Sequence, residues 1–159
     1  MTVLNPSISS FIKELVNNYS SIKEIWWIGS RANNLNVRPD SDWDFLIFAE
    51  ESTYSQICAN KKLEKISKEL LIDLLFENEA SVFKAVWGPS KTLKLKDDLK
   101  WKIISEKKAS YYGTKLIESE PVEQFFQDEW EKYFSEHGAD VTSKDVSAWM
   151  YAIKIWPQT

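Results

Sequence analysis

The chain has 159 residues, a formal net charge of −4, and 43% hydrophobic and 14% aromatic content. That is long enough for one independent core and too apolar for disorder, and the negative balance gives no general attraction to nucleic acid. There is no run of 18 apolar residues for a membrane helix and no basic-plus-apolar leader, and the single Cys58 cannot form a disulfide within the chain, so a cytoplasmic protein with no membrane partner is expected.

Asn5 followed by Pro6 is a helix-start signal, and Ile8, Phe11, Ile12, Leu15 and Val16 then recur at helical spacing, which predicts an amphipathic helix over 6–19. Strands are expected at 22–29 and 42–49, one helix at 53–69 carrying Ile57, Leu63 and Ile66, and a third strand at 70–76. The stretches 82–87 and 91–96 flank Gly88-Pro89-Ser90 and read as a hairpin, with a further strand at 100–105. Residues 106–117 lean helical up to Gly113. A clear amphipathic pattern (Val122, Phe125, Phe126, Trp130, Tyr133, Phe134) predicts a helix over 121–138, ended by Gly138. A last helix, capped by Thr142 or Ser143 and bearing Val146, Trp149, Met150 and Ile153, is expected to stop at Pro157. The fold class is α/β (α+β): a mixed β-sheet backed by helices, with a core at 1–80 and a hairpin and helical extension at 81–159 packed on the same single domain. The eight tryptophans are read chiefly as packing residues.

The chemistry concentrates in residues 25–48. Ile25-Trp26-Trp27-Ile28 is a bulky apolar strand ended by Gly29-Ser30, and Asp42 and Asp44 flank Trp43 where the second strand opens. Alternate side chains of a strand share a face, so the two carboxylates point the same way, roughly 7 Å apart along the backbone. A third acid, Asp73, interrupts the apolar run 70–76. Beside the second strand it would join the other two, and two carboxylates about 6 Å apart already repel by roughly 3 kcal/mol at an effective dielectric near 20. No cluster of arginines is at hand to neutralise them. A divalent cation would do so, and an all-oxygen donor set favours Mg²⁺ or Mn²⁺ over zinc.

Gly29-Ser30, eleven intervening residues, Asp42-Trp43-Asp44 and then a lone Asp73 on a later strand resemble the polymerase β-type nucleotidyltransferase superfamily, and the wording GSRA…RPDSDWD is most similar to its minimal, stand-alone nucleotidyltransferases. The resemblance covers about residues 22–77. Where the family usually has a glycine shortly after Gly-Ser, this chain has Asn33 or Asn34. The resemblance implies a nucleotidyltransferase fold and transfer of a nucleoside monophosphate from a nucleoside triphosphate, expected to be ATP, to a hydroxyl acceptor with release of pyrophosphate. It implies that Asp42 and Asp44 bridge two Mg²⁺ ions while Asp73 serves the acceptor hydroxyl. Gly29 and Ser30 would hold the triphosphate, with Arg31 and Ser41 also in the nucleotide site. Arg31 and Arg38 are open to a reading as phosphate ligands or as surface charges, and Ser41 is expected to cap or orient the loop.

Other chemistries lack their parts. The one histidine, His137, sits at a predicted helix end and suits the helix dipole, zinc has too few ligands, and neither a P-loop nor a G-x-G-x-x-G fingerprint is present. Residues 84–108 carry eight lysines against three acids, either as a solvated face or as a patch for triphosphate or an anionic acceptor. The acceptor is left open between a protein, an RNA end and a small molecule. Because minimal nucleotidyltransferases are often paired with a small helical toxin, the alternative is an antitoxin-like module that neutralises a small protein partner, with or without nucleotidylating it.

Overall fold

The computed structural model describes residues 4–33, 39–77, 82–87, 93–97, 99–112 and 149–157. At the first helix, the Asn5 side chain accepts hydrogen bonds from the amides of Ser7 (2.8 Å) and Ile8 (3.2 Å), and Pro6 opens α1, Pro6–Asn18. Such a cap pairs amides that the helical ladder leaves open and is worth about 1 kcal/mol. The elements that follow are β1 (Glu24–Ile28), α2 (Gly29–Asn33), β2 (Trp43–Phe48), α3 (Glu51–Cys58), α4 (Lys61–Glu69), β3 (Ile72–Glu77), β4 (Val82–Ala85), β5 (Leu93–Lys94), β6 (Lys102–Ser105), β7 (Lys108–Tyr112) and β8 (Trp149–Trp156).

These strands form one mixed sheet in the order β5-β4-β3-β2-β1-β8-β7-β6. Among the described residues only β2 and β3 run parallel, with α3 and α4 as the crossover that a parallel pair requires. Period-two alternation gives the sheet two buried faces. Ile25, Trp27, Phe45, Ile47, Leu74 and Phe76 pack against α1 and against Ile57 and Leu63 of α3 and α4. Trp26, Ile28, Leu46 and Leu75 pack on the other side against Leu95 and Leu99, joined by Ala109, Tyr111, Met150 and Ala152 from the last two strands. Each fully buried aliphatic or aromatic side chain contributes about 1.5–3 kcal/mol relative to exposure. Leu95, Leu99 and Trp101, between β5 at one edge and β6 at the other, thus pack on the face that the helices leave open.

The α+β class, the first helix, the three early strands, the hairpin β4–β5 and the strand near 100–105 follow the sequence reading. Four elements differ. The helix expected over 53–69 is two helices, because Asn60 turns extended and caps α4, its side chain accepting from the Leu63 amide (3.1 Å) and donating to the Tyr19 hydroxyl (2.9 Å). The Gly-Ser turn is one short helical segment, α2. Residues 106–117, expected to lean helical, instead supply β7: Ala109 and Tyr111 alternate into the second core, and burial on the sheet outweighs local preference. The expected last helix gives way to β8 from residue 149 onward. Met150 and Ala152 are buried on one face of that strand, and Ile153 and Ile155 pack toward the helical face. The helix expected over 121–138, the Thr142 or Ser143 cap, His137, Asn34, Arg38 and the 88–90 loop lie outside the described residues. No helix among the described residues is long and apolar enough to cross a membrane.

Candidate active site

β1 and β2 are antiparallel with Ile28 opposite Asp44, and β2 and β3 are parallel with Asp44 opposite Asp73. The end of the first strand and two of the three acids therefore share one rung of the sheet. Neighbouring strands are about 4.8 Å apart, so Asp44 and Asp73 are immediate backbone neighbours. Asp44 and Asp73 alternate with Phe45 and Leu74, which face the helices, so both acids lie on the opposite face with Leu46 and Leu75. The Trp43 amide donates to the Leu71 carbonyl (2.7 Å), which locks the entry of β2 to the entry of β3. Asp42 lies one residue before β2, exposed at the same rim.

The carboxyls carry the electrostatic mark of crowding. Asp73, although open to solvent, is flanked by enough protein that desolvation, and then the charge of Asp42, push it up to about 6. Asp42 is raised as well, by desolvation first; Arg31 opposes this and Asp40 adds to it. Loss of water and like charge both disfavour an ionised carboxylate, and a hard cation reverses both. Carboxylate oxygens are the donor type that such a cation takes. Among the described residues no three acidic, His or Cys side chains converge on a common point, so what is in place is the register and the shared face.

Gly29 is where the turn meets the acids. Its φ is +82°, in the region that L side chains rarely adopt, and a Cβ added there would come within 2.9 Å of the Asp44 Cγ and 3.1 Å of its Cβ. Only a residue without a side chain lets the Asp44 carboxylate lie against the turn. Ser30 is half-buried beside it in α2. Arg31 donates from Nε to the Ser41 carbonyl (2.9 Å) and from a terminal nitrogen to the Pro39 carbonyl (3.3 Å), and its guanidinium stacks 4.3 Å from the Trp43 ring. Trp43 in turn stacks on Trp27 (5.8 Å, 20°). Arg31 and Ser41, both expected at the nucleotide, thus meet each other, and their bond ties α2 to the loop that delivers Asp42.

Two residues of the site were not foreseen. The Gly29 amide donates to the Tyr111 hydroxyl (2.8 Å), which comes from β7, on the far side of β8 from β1. Asn33, marked in the sequence only for standing where the family has glycine, donates to the Gly29 carbonyl (2.8 Å) and pairs with the β8 backbone at Tyr151. That pairing is twofold: Nδ2 donates to the Tyr151 carbonyl (3.0 Å), and Oδ1 accepts from the Tyr151 amide (2.7 Å). The period-two spacing of Ala109 and Tyr111 was the available signal for a strand; nothing local signals contact across 82 residues.

No curated protein matches the chain. A family model described as polymerase beta, nucleotidyltransferase, matches residues 11–99, a span that holds Gly29, Ser30 and all three acids and ends before β6. With the Gly-Ser turn and Asp44 and Asp73 on one rung, as well as this match over more than half its length, the chain belongs to the polymerase beta nucleotidyltransferase family.

Proposed function

We propose that the protein transfers a nucleoside monophosphate from a nucleoside triphosphate, with ATP the first to test, to a hydroxyl acceptor, releasing pyrophosphate, with Mg²⁺ or Mn²⁺ as the metal. The observation that carries this reading is the shared rung of Ile28, Asp44 and Asp73, with Gly29 seated against the Asp44 carboxylate. Asp42 and Asp44, nearest the turn, would hold metal on the triphosphate side. Asp73, one strand further from the turn, would hold it on the acceptor side. When bound, the divalent cation supplies charge neutralisation for the leaving pyrophosphate and acidifies the acceptor hydroxyl. The chain itself positions: α2 fixes the phosphate end, and Arg31 holds the loop that carries Asp42. The cytoplasm, with its nucleoside triphosphate pool, is a compartment that suits this reading.

Incubation with each α-³²P-labelled nucleoside triphosphate, Mg²⁺ and lysate tests it. Label transferred to a protein, RNA or small molecule by the wild type, and not by Asp44→Asn, is the expected result. No transfer with any of the four nucleotides would remove the proposal.

An antitoxin-like module that binds a small protein partner is the second reading. It is favoured by the outermost strand β6, where Ile103 and Ile104 are 55% and 51% exposed on an edge strand able to pair with another chain. Co-purification of a small partner that β6 substitutions release would support it.

A further inference from the structure

The strands that hold the Gly-Ser turn lie outside the span that defines the family. β7 and β8 come after residue 99, yet the Gly29 amide donates to Tyr111 of β7 and the Asn33 side chain pairs with the backbone of β8. Gly29 directly follows β1 and opens α2, and its amide is taken by a phenol that reaches across the intervening strand. Tyr111 is only 1% exposed, stacks on Trp101 (6.2 Å, 26°), and lies in one cluster with the small, fully buried Ala109 and Ala152. A ring packed in this way has little freedom, so its hydroxyl is a fixed acceptor. Asn33 is fixed by the strand-like geometry of its two bonds to Tyr151. Between them the two residues hold both ends of α2, at Gly29 and at Asn33.

We infer that Tyr111 is a positioning residue for nucleoside triphosphate binding: by accepting the Gly29 amide, with Asn33 clamping the other end of α2 to β8, it fixes the Gly-Ser turn against Asp44. The inference rests on the proposed reading that this turn holds the triphosphate. Tyr111 does not touch the nucleotide; it acts through the backbone of Gly29. The C-terminal strands are then part of the nucleotide site's frame.

The test is Tyr111→Phe in the full-length protein, which keeps the ring and removes the acceptor. The probe is α,β-methylene-ATP with Mg²⁺, titrated calorimetrically, alongside the thermal midpoint and the ¹H–¹⁵N resonance and exchange rate of the Gly29 amide. Loss of the Gly29 hydrogen bond should leave the protein folded, speed exchange at Gly29, and weaken analogue binding roughly fivefold to tenfold. In turnover, KM for the triphosphate should rise while KM for the acceptor stays put. Unchanged analogue affinity in a folded Tyr111→Phe protein that the wild type binds well would overturn the inference. So would weakening that merely tracks a lower thermal midpoint. If the wild type binds no analogue at all, the proposed function fails and the clamp is judged on Gly29 exchange alone: faster exchange keeps it, unchanged exchange removes it. Asn33→Asp, which retains the acceptor toward the Tyr151 amide and drops the donors, should loosen the other end of α2 and shift the Gly29 resonance in a folded protein; no shift would overturn its share.

Discussion

The two sides of the rim are built on opposite terms. On the turn side, α2 is held by a phenol at the Gly29 amide, by the Asn33 amide on β8, and by Arg31 on the 39–41 carbonyls. On the acid side, burial drives Asp42 and Asp73 away from the ionised form, aided at Asp73 by the charge of Asp42 and at Asp42 by that of Asp40 against the pull of Arg31. Hydrogen bonding makes the turn side rigid in the free protein, whereas electrostatic strain makes the acid side receptive to a cation. A phosphate cradle needs fixed geometry before the ligand arrives; a metal site needs negative charge that the protein itself does not cancel. The acid side can be broken without breaking the turn side.

The largest effect is expected on the acid side. Asp42→Asn and Asp44→Asn should each abolish metal-dependent strengthening of triphosphate binding and reduce transfer by at least about 100-fold, with the fold intact by circular dichroism. Equal triphosphate titrations with and without EDTA in the wild type would show that these acids do not hold a metal. Asp73→Asn should keep much of the nucleotide binding and lose turnover, because it lies one strand further from the turn. The corresponding break on the turn side is Gly29→Ala. It forces an L side chain to φ +82° and drives a Cβ into the Asp44 carboxylate, so it should cost about 1–3 kcal/mol of stability and displace Asp44 together with the turn. Chemical denaturation measures the first and metal affinity the second.

What could be read from the sequence divides along the same line. The acid side was legible because its signals are local: Asp42 and Asp44 two apart where the second strand opens, and Asp73 alone in an apolar run, where burying a charge is costly. Pairing those strands in the right order sufficed to bring Asp44 beside Asp73. The turn side was only half legible. Gly29 stood out, but the residues that brace it come from 111 and 151, and sequence pattern carries no information on which distant strand docks where. In β8, moreover, the spacing of Trp149, Met150 and Ile153 imitates a helix, and only the buried pair Met150 and Ala152 discloses period two. Asn60 misled by a different route: without glycine or proline it gave no break signal, yet its side chain caps a new helix.

A pH series sharpens the comparison with a smaller effect. Asp73 titrates at about 6 in the fold and near 3.9 in an unfolded chain, so folding favours its protonated form. The stability linked to this group is fully present below about pH 4 and is lost as pH rises through 6. Metal-free wild type should therefore lose stability relative to Asp73→Asn between pH 4.5 and 7.5, by on the order of 1 kcal/mol once the solvent exposure of Asp73 is allowed for. Urea denaturation in EDTA at the two pH values measures this. Mg²⁺ added at pH 7.5 should restore the wild type and stabilise Asp73→Asn less, because only Asp42 and Asp44 remain to hold it. A pH-independent difference would mean that Asp73 strains the fold by shape rather than by charge. The stability difference between the wild type and Tyr111→Phe, on the turn side, should not change over the same pH range.

The smallest effect concerns the lysines of 84–108, which looked like one basic segment in the sequence. The fold separates them: Lys94 lies on β5 at one edge of the sheet, and Lys102 lies on β6 at the other. A single anionic acceptor seated near Asp73 can therefore meet one group or the other, and β3 stands on the β5 side, separated from it only by β4. Reversing Lys94 and Lys96 to Glu should accordingly weaken acceptor use more than reversing Lys102 and Lys107. All four side chains are exposed, and such contacts are worth no more than about 1 kcal/mol and are screened by salt. The expected change is about twofold to fivefold in acceptor KM at low salt, fading at high ionic strength, with triphosphate affinity unchanged. Acceptor KM against salt for the two double variants measures it. Equal losses in acceptor and triphosphate use would put Lys94 and Lys96 on the nucleotide, and no loss in either would leave them a solvated face that shares nothing with the acid rim but its edge.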